Sequence, residues 1–546
     1  MFGDAGVLLI FIDRGFGMQR RDFLKAAAVA ALTGCDAKMR IAGSGIKKSR
    51  PNILFCISDD VSYPHMGAYG CEWVKTPGFD RVAKNGILFN KAYTPNAKCA
   101  PSRACILTGR NSWQLEEAAN HWPFFPDKFK TYPETLLENG YHVGFTGKGC
   151  QPVKFHTEFG KKRQLCGVPY QKQRLTPPSK GISRCDYAAN FEQFLADKPA
   201  DKPFCFWYGG LEPHRKYEFK AGLTKGGKKL SDIDDVPDFW PDTENVRTDM
   251  LDYAYEIEHF ERHLERMLEK LDQIGELDNT LVVVTADNGM PFPRCKGQEY
   301  EYSNHLPLAA MWKNGINKPG RVVDDFVSFI DFTPTFLDLA AVDQTACGMQ
   351  KIQGQTLSKI FNSSKGGIVE RSRDHVLIGK ERHDVGRPND AGYPIRGIVK
   401  GGLLYVHNFE TTRWPAGNPE TGYLNSDGGP TKTECLQSRK KPGMKKYWEM
   451  SFAKRPQEEL YDIANDPECI NNLAQKPKYA SKKAKLKKQL FVELKEQGDP
   501  RMFGKGHIFD EYEYSNSVNK NFHERYFSGE DIKAGWVEKT DFEKIP

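Results

Sequence analysis

The sequence predicts an α/β fold: a large domain on a doubly wound, mostly parallel sheet flanked by helices, then a smaller α+β domain with an antiparallel sheet. Three observations carry this. Two nearly continuous apolar runs, Asn52–Ser58 and Thr280–Thr285, read as strands buried on both faces. Helical and strand patterns alternate between them, as crossover-connected parallel strands require. After about residue 370 the pattern changes to short strands joined by turns. A chain of 546 residues has room for both domains and an ample core.

Taken in order, residues 1–35 read as an export signal. Arg20-Arg21-Asp22-Phe23-Leu24-Lys25 is a twin-arginine pattern, a short apolar run follows from Ala26 to Leu32, and Leu32-Thr33-Gly34-Cys35 resembles a lipoprotein cleavage box. The run is too short to span a bilayer. These features predict translation from Met18, export from a bacterial cytoplasm, and a periplasmic or cell-surface protein that touches a membrane only through a lipid on Cys35. Residues 36–50 are then a polar tether.

The first strand ends in Asp59-Asp60. Adjacent carboxylates at the end of a buried strand repel each other unless a cation lies between them, and a hard divalent ion answers that need. The second apolar strand stops at Asp287-Asn288-Gly289; either pair alone is also an ordinary turn or cap. Between them, Thr131–Gly140 predicts a helix closed by Gly140, and Tyr141–Thr146 a strand leading into Gly147-Lys148. Phe204–Tyr208 predicts a strand leading into Glu212-Pro213-His214-Arg215. From Asp249 to Gly275, Ile257, Phe260, Leu264, Met267 and Leu271 keep the spacing of a packing helix.

Later elements are shorter. His375–Gly379, Gly397–Val399 and Leu403–Val406 predict the strands of the smaller domain. Lys476–Gln497 predicts a basic helix with Leu486, Leu490 and Leu494 on one face and solvated lysines elsewhere. The tail, 499–546, is rich in Phe, Tyr and Trp, so it is expected to pack onto the body.

The stretch around which the chain is organised is Cys99-Ala100-Pro101-Ser102-Arg103-Ala104-Cys105-Ile106-Leu107-Thr108-Gly109-Arg110. Pro101 is preset for a first helical turn, which puts Cys99 at the positive end of a helix dipole with Arg103 one turn on. That setting lowers a thiol pKa and suits an anionic substrate. By itself, the commoner fate of such a cysteine is burial at the start of a core helix.

Cys99-x-Pro101-Ser102-Arg103 with Leu107-Thr108-Gly109-Arg110 resembles the modification motif of the sulfatase family, in which a maturing enzyme oxidises the cysteine to formylglycine. The resemblance runs from about residue 51 to 475 and includes the closing segment Arg455-Pro456-x-Glu458-Glu459-Leu460-Tyr461-Asp462. It implies an alkaline-phosphatase-like fold with a catalytic domain at 51–369 and a C-terminal α+β domain at 370–498. It also implies one calcium held by Asp59, Asp60, Asp287, Asn288 and modified Cys99, with catalytic roles for Cys99, Arg103, Lys148, His214 and Lys296. Partners implied are a sulfated glycan and a formylglycine-generating or anaerobic maturing enzyme.

Asp287-Asn288-Gly289-Met290-Pro291-Phe292-Pro293 is close to the heparan sulfamidase pattern, and resemblance to glycan sulfatases assigns Arg382, His383 and Arg396 to the substrate pocket. One position departs: the family usually has Lys-x-His where this chain has Lys148-Gly149-Cys150, so His121 or His156 is expected to replace that histidine or the step differs.

The expected activity is hydrolysis of a carbohydrate sulfate ester. Alternatives are an N-sulfoglucosamine sulfamidase, a phosphoric or phosphonic ester hydrolase of the same superfamily, and an inactive glycan-binding lipoprotein. Phosphate's extra charge would ask for two metals. A net charge of +7 fits an anionic substrate and is too mild on this length to suggest nucleic acid. Of 13 cysteines, setting aside Cys35 and Cys99 leaves an odd number, so at least one thiol stays unpaired.

Overall fold

The computed structural model describes residues 50–156 and 163–543. The export signal, its lipid site at Cys35 and the tether up to residue 49 lie outside them. Strands β1 (Asn52–Ser58), β2 (Ile87–Phe89), β3 (Ala92–Tyr93), β4 (His142–Gly147), β5 (Val168–Pro169), β6 (Phe204–Gly209), β7 (Thr280–Ala286), β8 (Leu308–Met311), β9 (Arg321–Val323) and β10 (Val327–Ser328) precede residue 330. Eight form one sheet in the order β5-β4-β6-β1-β7-β8-β2-β9, parallel except where β8 runs against β7 and β2; β3 and β10 make a small parallel ribbon.

Strand β1 shows why the sheet is buried on both faces. Its side chains alternate, so Ile53, Phe55 and Ile57 enter one apolar layer and Leu54 and Cys56 the other. The first layer includes the helices Cys99–Thr108 and Phe332–Leu339; the second includes the long helix Glu244–Gln273. Each fully buried Leu, Ile or Phe contributes about 1.5–3 kcal/mol, and the tilted and edge-to-face contacts of Phe55 with Trp207 and Phe332 (4.9 and 5.3 Å between centroids) add to it.

Register then sets the site. Ile57 pairs with Gly209, Ser58 with Ala286, and Gly147 with Gly209, so β4, β6, β1 and β7 all end at one edge. In an open parallel sheet that carboxyl edge is where ligands bind.

Four further strands, β11 (His375–Lys380), β12 (Ile395–Lys400), β13 (Leu403–Asn408) and β14 (Glu458–Asp462), form the separate antiparallel sheet, in that order. The helix Ala480–Glu496 buries Leu486, Leu490 and Leu494 against Ile398, Tyr405 and Leu460 of this sheet. The tail packs Tyr514, Phe522, Ile532 and Val537 against Val385 and Leu424. From Arg50 onward the chain is one compact body. Among the described residues no helix is long and apolar enough to cross a membrane, and all twelve cysteines are free thiols.

Candidate active site

As β1 leaves the sheet it delivers Asp59 and Asp60, and its register partner β7 delivers Asp287 and Asn288 beside them. Asp60 takes a left-handed backbone (φ 77°), which a short polar side chain tolerates. The Asp60 amide donates to Asp287 Oδ1 (3.1 Å), and Asn288 Nδ2 donates to Asp60 Oδ1 (2.7 Å). A Cβ on Gly289 would lie 1.8 Å from the Tyr302 carbonyl oxygen, so only glycine lets this turn approach so closely. Oxygens of Asp59, Asp60 and Asp287 lie within 4.8 Å of one another, and Asn288 Oδ1 is buried without a hydrogen-bond partner. An all-oxygen donor set with an unpartnered amide oxygen fits a hard divalent cation.

The helix Cys99–Thr108 begins against this cluster, and every residue in it is buried. Cys99 Sγ is 3.4 Å from Asp59 Oδ1 and 3.9 Å from Asp60 Oδ1. The Ser102 hydroxyl donates to the Asp287 carbonyl (2.5 Å). Arg103 donates through Nε to Asp287 Oδ2 (2.7 Å) and through Nη1 to the carbonyls of Lys148 (2.9 Å) and Gly149 (3.0 Å), while Nη2 stands 3.8 Å from Asp59. One guanidinium thus ties together the ends of β1, β4 and β7.

The thiol expectation is reversed here. Burial raises the Cys99 pKa well above its ordinary value and Asp59 raises it further, against the opposing pull of Lys148 and Lys296. Desolvation and the neighbouring carboxylates thus favour the neutral thiol.

Lys148 follows β4 through Gly147, and its amide donates to the Gly209 carbonyl (2.7 Å). Its ammonium meets Asp59 Oδ2 at 2.5 Å, while Lys296 meets Asp60 at 2.6 Å and Asp427 at 3.1 Å. Burial raises the Asp59 carboxyl, but Lys148, with His214 and Arg103, outweighs burial and Asp60 and holds it down at about 2. Burial likewise raises Asp427, and Lys296 with Lys98 drives it well below the carboxylate range. His214 Nδ1 donates to the Arg215 carbonyl (2.7 Å), since a carbonyl only accepts, and this leaves Nε2 free; a ring nitrogen of His214 lies within 4.8 Å of Asp59 and Cys99. Arg215 pins the His214 loop by a bidentate pair with Asp249 (2.8 and 2.7 Å).

These groups open into a cavity of about 160 Å³ lined by Lys98, Cys99, His121, Trp122, Lys148, Pro152, His214, Lys296, Asp384, Asp427 and Trp536. Sequence reasoning missed Lys98, Trp122, Asp384, Asp427 and Trp536. Asp384 ends the charged run Glu381–Asp384, of which the resemblance assigns only Arg382 and His383 to the pocket; the others carry no local signal. Asp384 pairs with Lys98 (2.7 Å) and His121 (3.1 Å). Burial lowers His121 to about 4 despite Asp384, so it is neutral at ordinary pH.

Three expected pocket residues do not line this cavity. Arg382 donates to the Tyr512 carbonyl (2.7 Å), His383 bonds Asn96 Oδ1 (2.7 Å), and Arg396 sits wholly buried between Asp499 (2.8 Å) and Glu381 (2.7 Å). Cys150 is buried in an apolar cluster with Cys166, and His156 stacks on Phe124 (4.4 Å); of the two histidines expected to replace the missing one, His121 is the one in the cavity.

The family description Sulfatase matches residues 51–342. Over 498 residues the chain is 30% identical to an ulvan-active sulfatase of Formosa agariphila, covering 86% of this chain and 88% of that one. It is 26% identical to the human N-sulphoglucosamine sulphohydrolase over 84% of this chain and 92% of that one. Among solved structures, that of BT4656 in complex with its substrate D-glucosamine-2-N,6-O-disulfate superposes with a TM-score of 0.61 at 21% identity, over 82% of this chain and 98% of that chain. The motif at Cys99, the sheet edge that surrounds it and the length of these matches agree: the chain belongs to the sulfatase family and is a sulfuric ester hydrolase.

Proposed function

We propose that the protein hydrolyses sulfate esters of a sulfated carbohydrate, with Cys99 converted to formylglycine and one calcium ion at Asp59, Asp60, Asp287 and Asn288. The observation that carries this reading is the convergence of Cys99, Lys148, Lys296 and His214 on one cavity beside an oxygen-only cluster. The relatives with glycan substrates support the choice of carbohydrate.

When present, the ion and the formylglycine supply an oxygen nucleophile of lowered pKa at position 99. The chain's own residues do the rest. Lys148 and Lys296 offer two ammonium groups to the sulfate oxygens, where charge develops. In its imidazolium form His214 keeps Nδ1–H on the Arg215 carbonyl and gives the Nε2 proton to the leaving atom, ending as the neutral Nδ1–H ring, an effect typically worth about 10²–10⁴-fold. Arg103 is a positioning residue that holds Asp287 and the Lys148 turn.

An N-sulfate substrate is the second reading, favoured by the Asp287–Pro293 pattern and by the likeness to the human sulphohydrolase. Export as a lipoprotein through Cys35 completes the proposal.

The test is the mass of the peptide spanning Cys99 after co-expression with a formylglycine-generating enzyme, followed by sulfate release from O- and N-sulfated glycans. The aldehyde mass, with release abolished by Cys99→Ala, is expected. An unmodified thiol with no release from any glycan would favour the glycan-binding alternative.

A further inference from the structure

Two tryptophans stand in the cavity wall with no part in the chemistry above. Trp122 follows His121, and Trp536 comes from the C-terminal tail; both are half-buried and both face the same space as Cys99. Trp536 is held at two points, because its Nε1 donates to the Leu424 carbonyl (2.8 Å) and its own carbonyl accepts from the Gly428 amide (2.7 Å). With its only polar atom already used, the indole offers a ligand nothing but apolar surface. Trp122 is fixed by the same tail: its carbonyl accepts from the Ser515 amide (2.9 Å), its ring lies 6.5 Å from Tyr514, and both tryptophans pack on the Leu424–Phe522–Val537 cluster.

We propose that Trp122 and Trp536 form an aromatic clamp for one sugar ring above Cys99, which makes the tail a substrate-binding element. This rests on the reading of the cavity as a carbohydrate sulfate site. A sugar ring has apolar C–H faces and a polar edge of hydroxyls. The wall here is correspondingly divided, with two indoles beside Asp384 and Asp427, whose carboxylates accept hydroxyl donors.

The test uses the full chain carrying Trp536→Ala, Trp536→Phe or Trp122→Ala. Titration calorimetry is run on unconverted protein and sulfate release on matured protein, with a panel of glucosamine 6-O-sulfate, N-sulfoglucosamine, galactose 6-sulfate and rhamnose 3-sulfate. Each alanine variant is expected to weaken binding and raise KM about tenfold on the sugar that binds the wild type, with kcat changed much less. Trp536→Phe keeps an aromatic face and loses the Leu424 bond, and should stay near wild type.

Alanine variants that bind like wild type overturn the clamp, as does a Phe variant as impaired as the alanine one, which would make the Leu424 anchor the whole role. A wild type that binds no member of the panel also overturns it. Tryptophan-dependent binding without sulfate release leaves the clamp standing and sinks the hydrolytic reading; release without tryptophan dependence does the reverse.

Discussion

Lys98, the residue that caps the helix opening at Cys99, lies 2.7 Å from Asp384, and both are almost completely buried. Removing one partner of such a pair strands a charge in low dielectric, which typically costs about 3–5 kcal/mol, whereas replacing both by apolar groups costs far less. Asp384→Ala is therefore expected to lower the urea midpoint more than the double variant Lys98→Met/Asp384→Leu. Equal losses in a urea titration would show that the pair does not act as a unit.

Divalent metal is expected to stabilise the fold through the Asp59–Asp60–Asp287 cluster. A ligand at a hundred times its Kd adds about 2.7 kcal/mol. Treatment with EDTA should lower Tm and calcium should restore it, and Asp60→Asn should reduce the calcium-dependent gain. A Tm indifferent to calcium in the wild type contradicts this.

Gly289→Ala places a Cβ 1.8 Å from a carbonyl oxygen of Tyr302, so the turn carrying Asp287 and Asn288 must move. Sulfate release should fall by at least about a hundredfold, as positional errors of this size at a catalytic centre do. Global stability should change much less than activity, and circular dichroism of the variant checks it.

His375 on β11 bonds Glu493 (2.8 Å) and Asp374 (2.6 Å). Burial lowers its pKa, but the two carboxylates outweigh burial and raise it above 6.5. A folded pKa above the unfolded one gives stability that is complete below about 6.5 and is lost as pH rises through the folded value. The gap in urea midpoint between wild type and His375→Gln should thus be wide near about pH 5.5 and narrow near about pH 9. A constant gap would mean that the ring's packing, not its charge, anchors the helix Ala480–Glu496.

The sheet and its catalytic edge were legible because their signals are local. The apolar runs end at Asp59-Asp60 and Asp287-Asn288, and Pro101 marks the start of the Cys99 helix. The cavity wall was not legible, since Asp384, Asp427 and Trp536 come from loops hundreds of residues from Cys99 with no periodicity. Arg396 illustrates a different failure. Its strand is predictable, but its position is decided by the bare Gly379 opposite it on β11, where a Cβ would lie 2.8 Å from Arg396 Cδ, and by distant Asp499. Neither partner can be read from the residues around 396. The Cys99 thiol failed for a third reason: the dipole is a property of the helix, while burial and the Asp59 charge arrive only with the tertiary fold.

The wall built by Trp536 also has a meaning in time. A ribosome that has reached Lys296 has already made every residue that meets at the sheet edge, while Asp384, Asp427 and Trp536 are still to come. The shape of the cavity is therefore the last feature that synthesis supplies, and the first that a chain stopped short of Gly535 would lack.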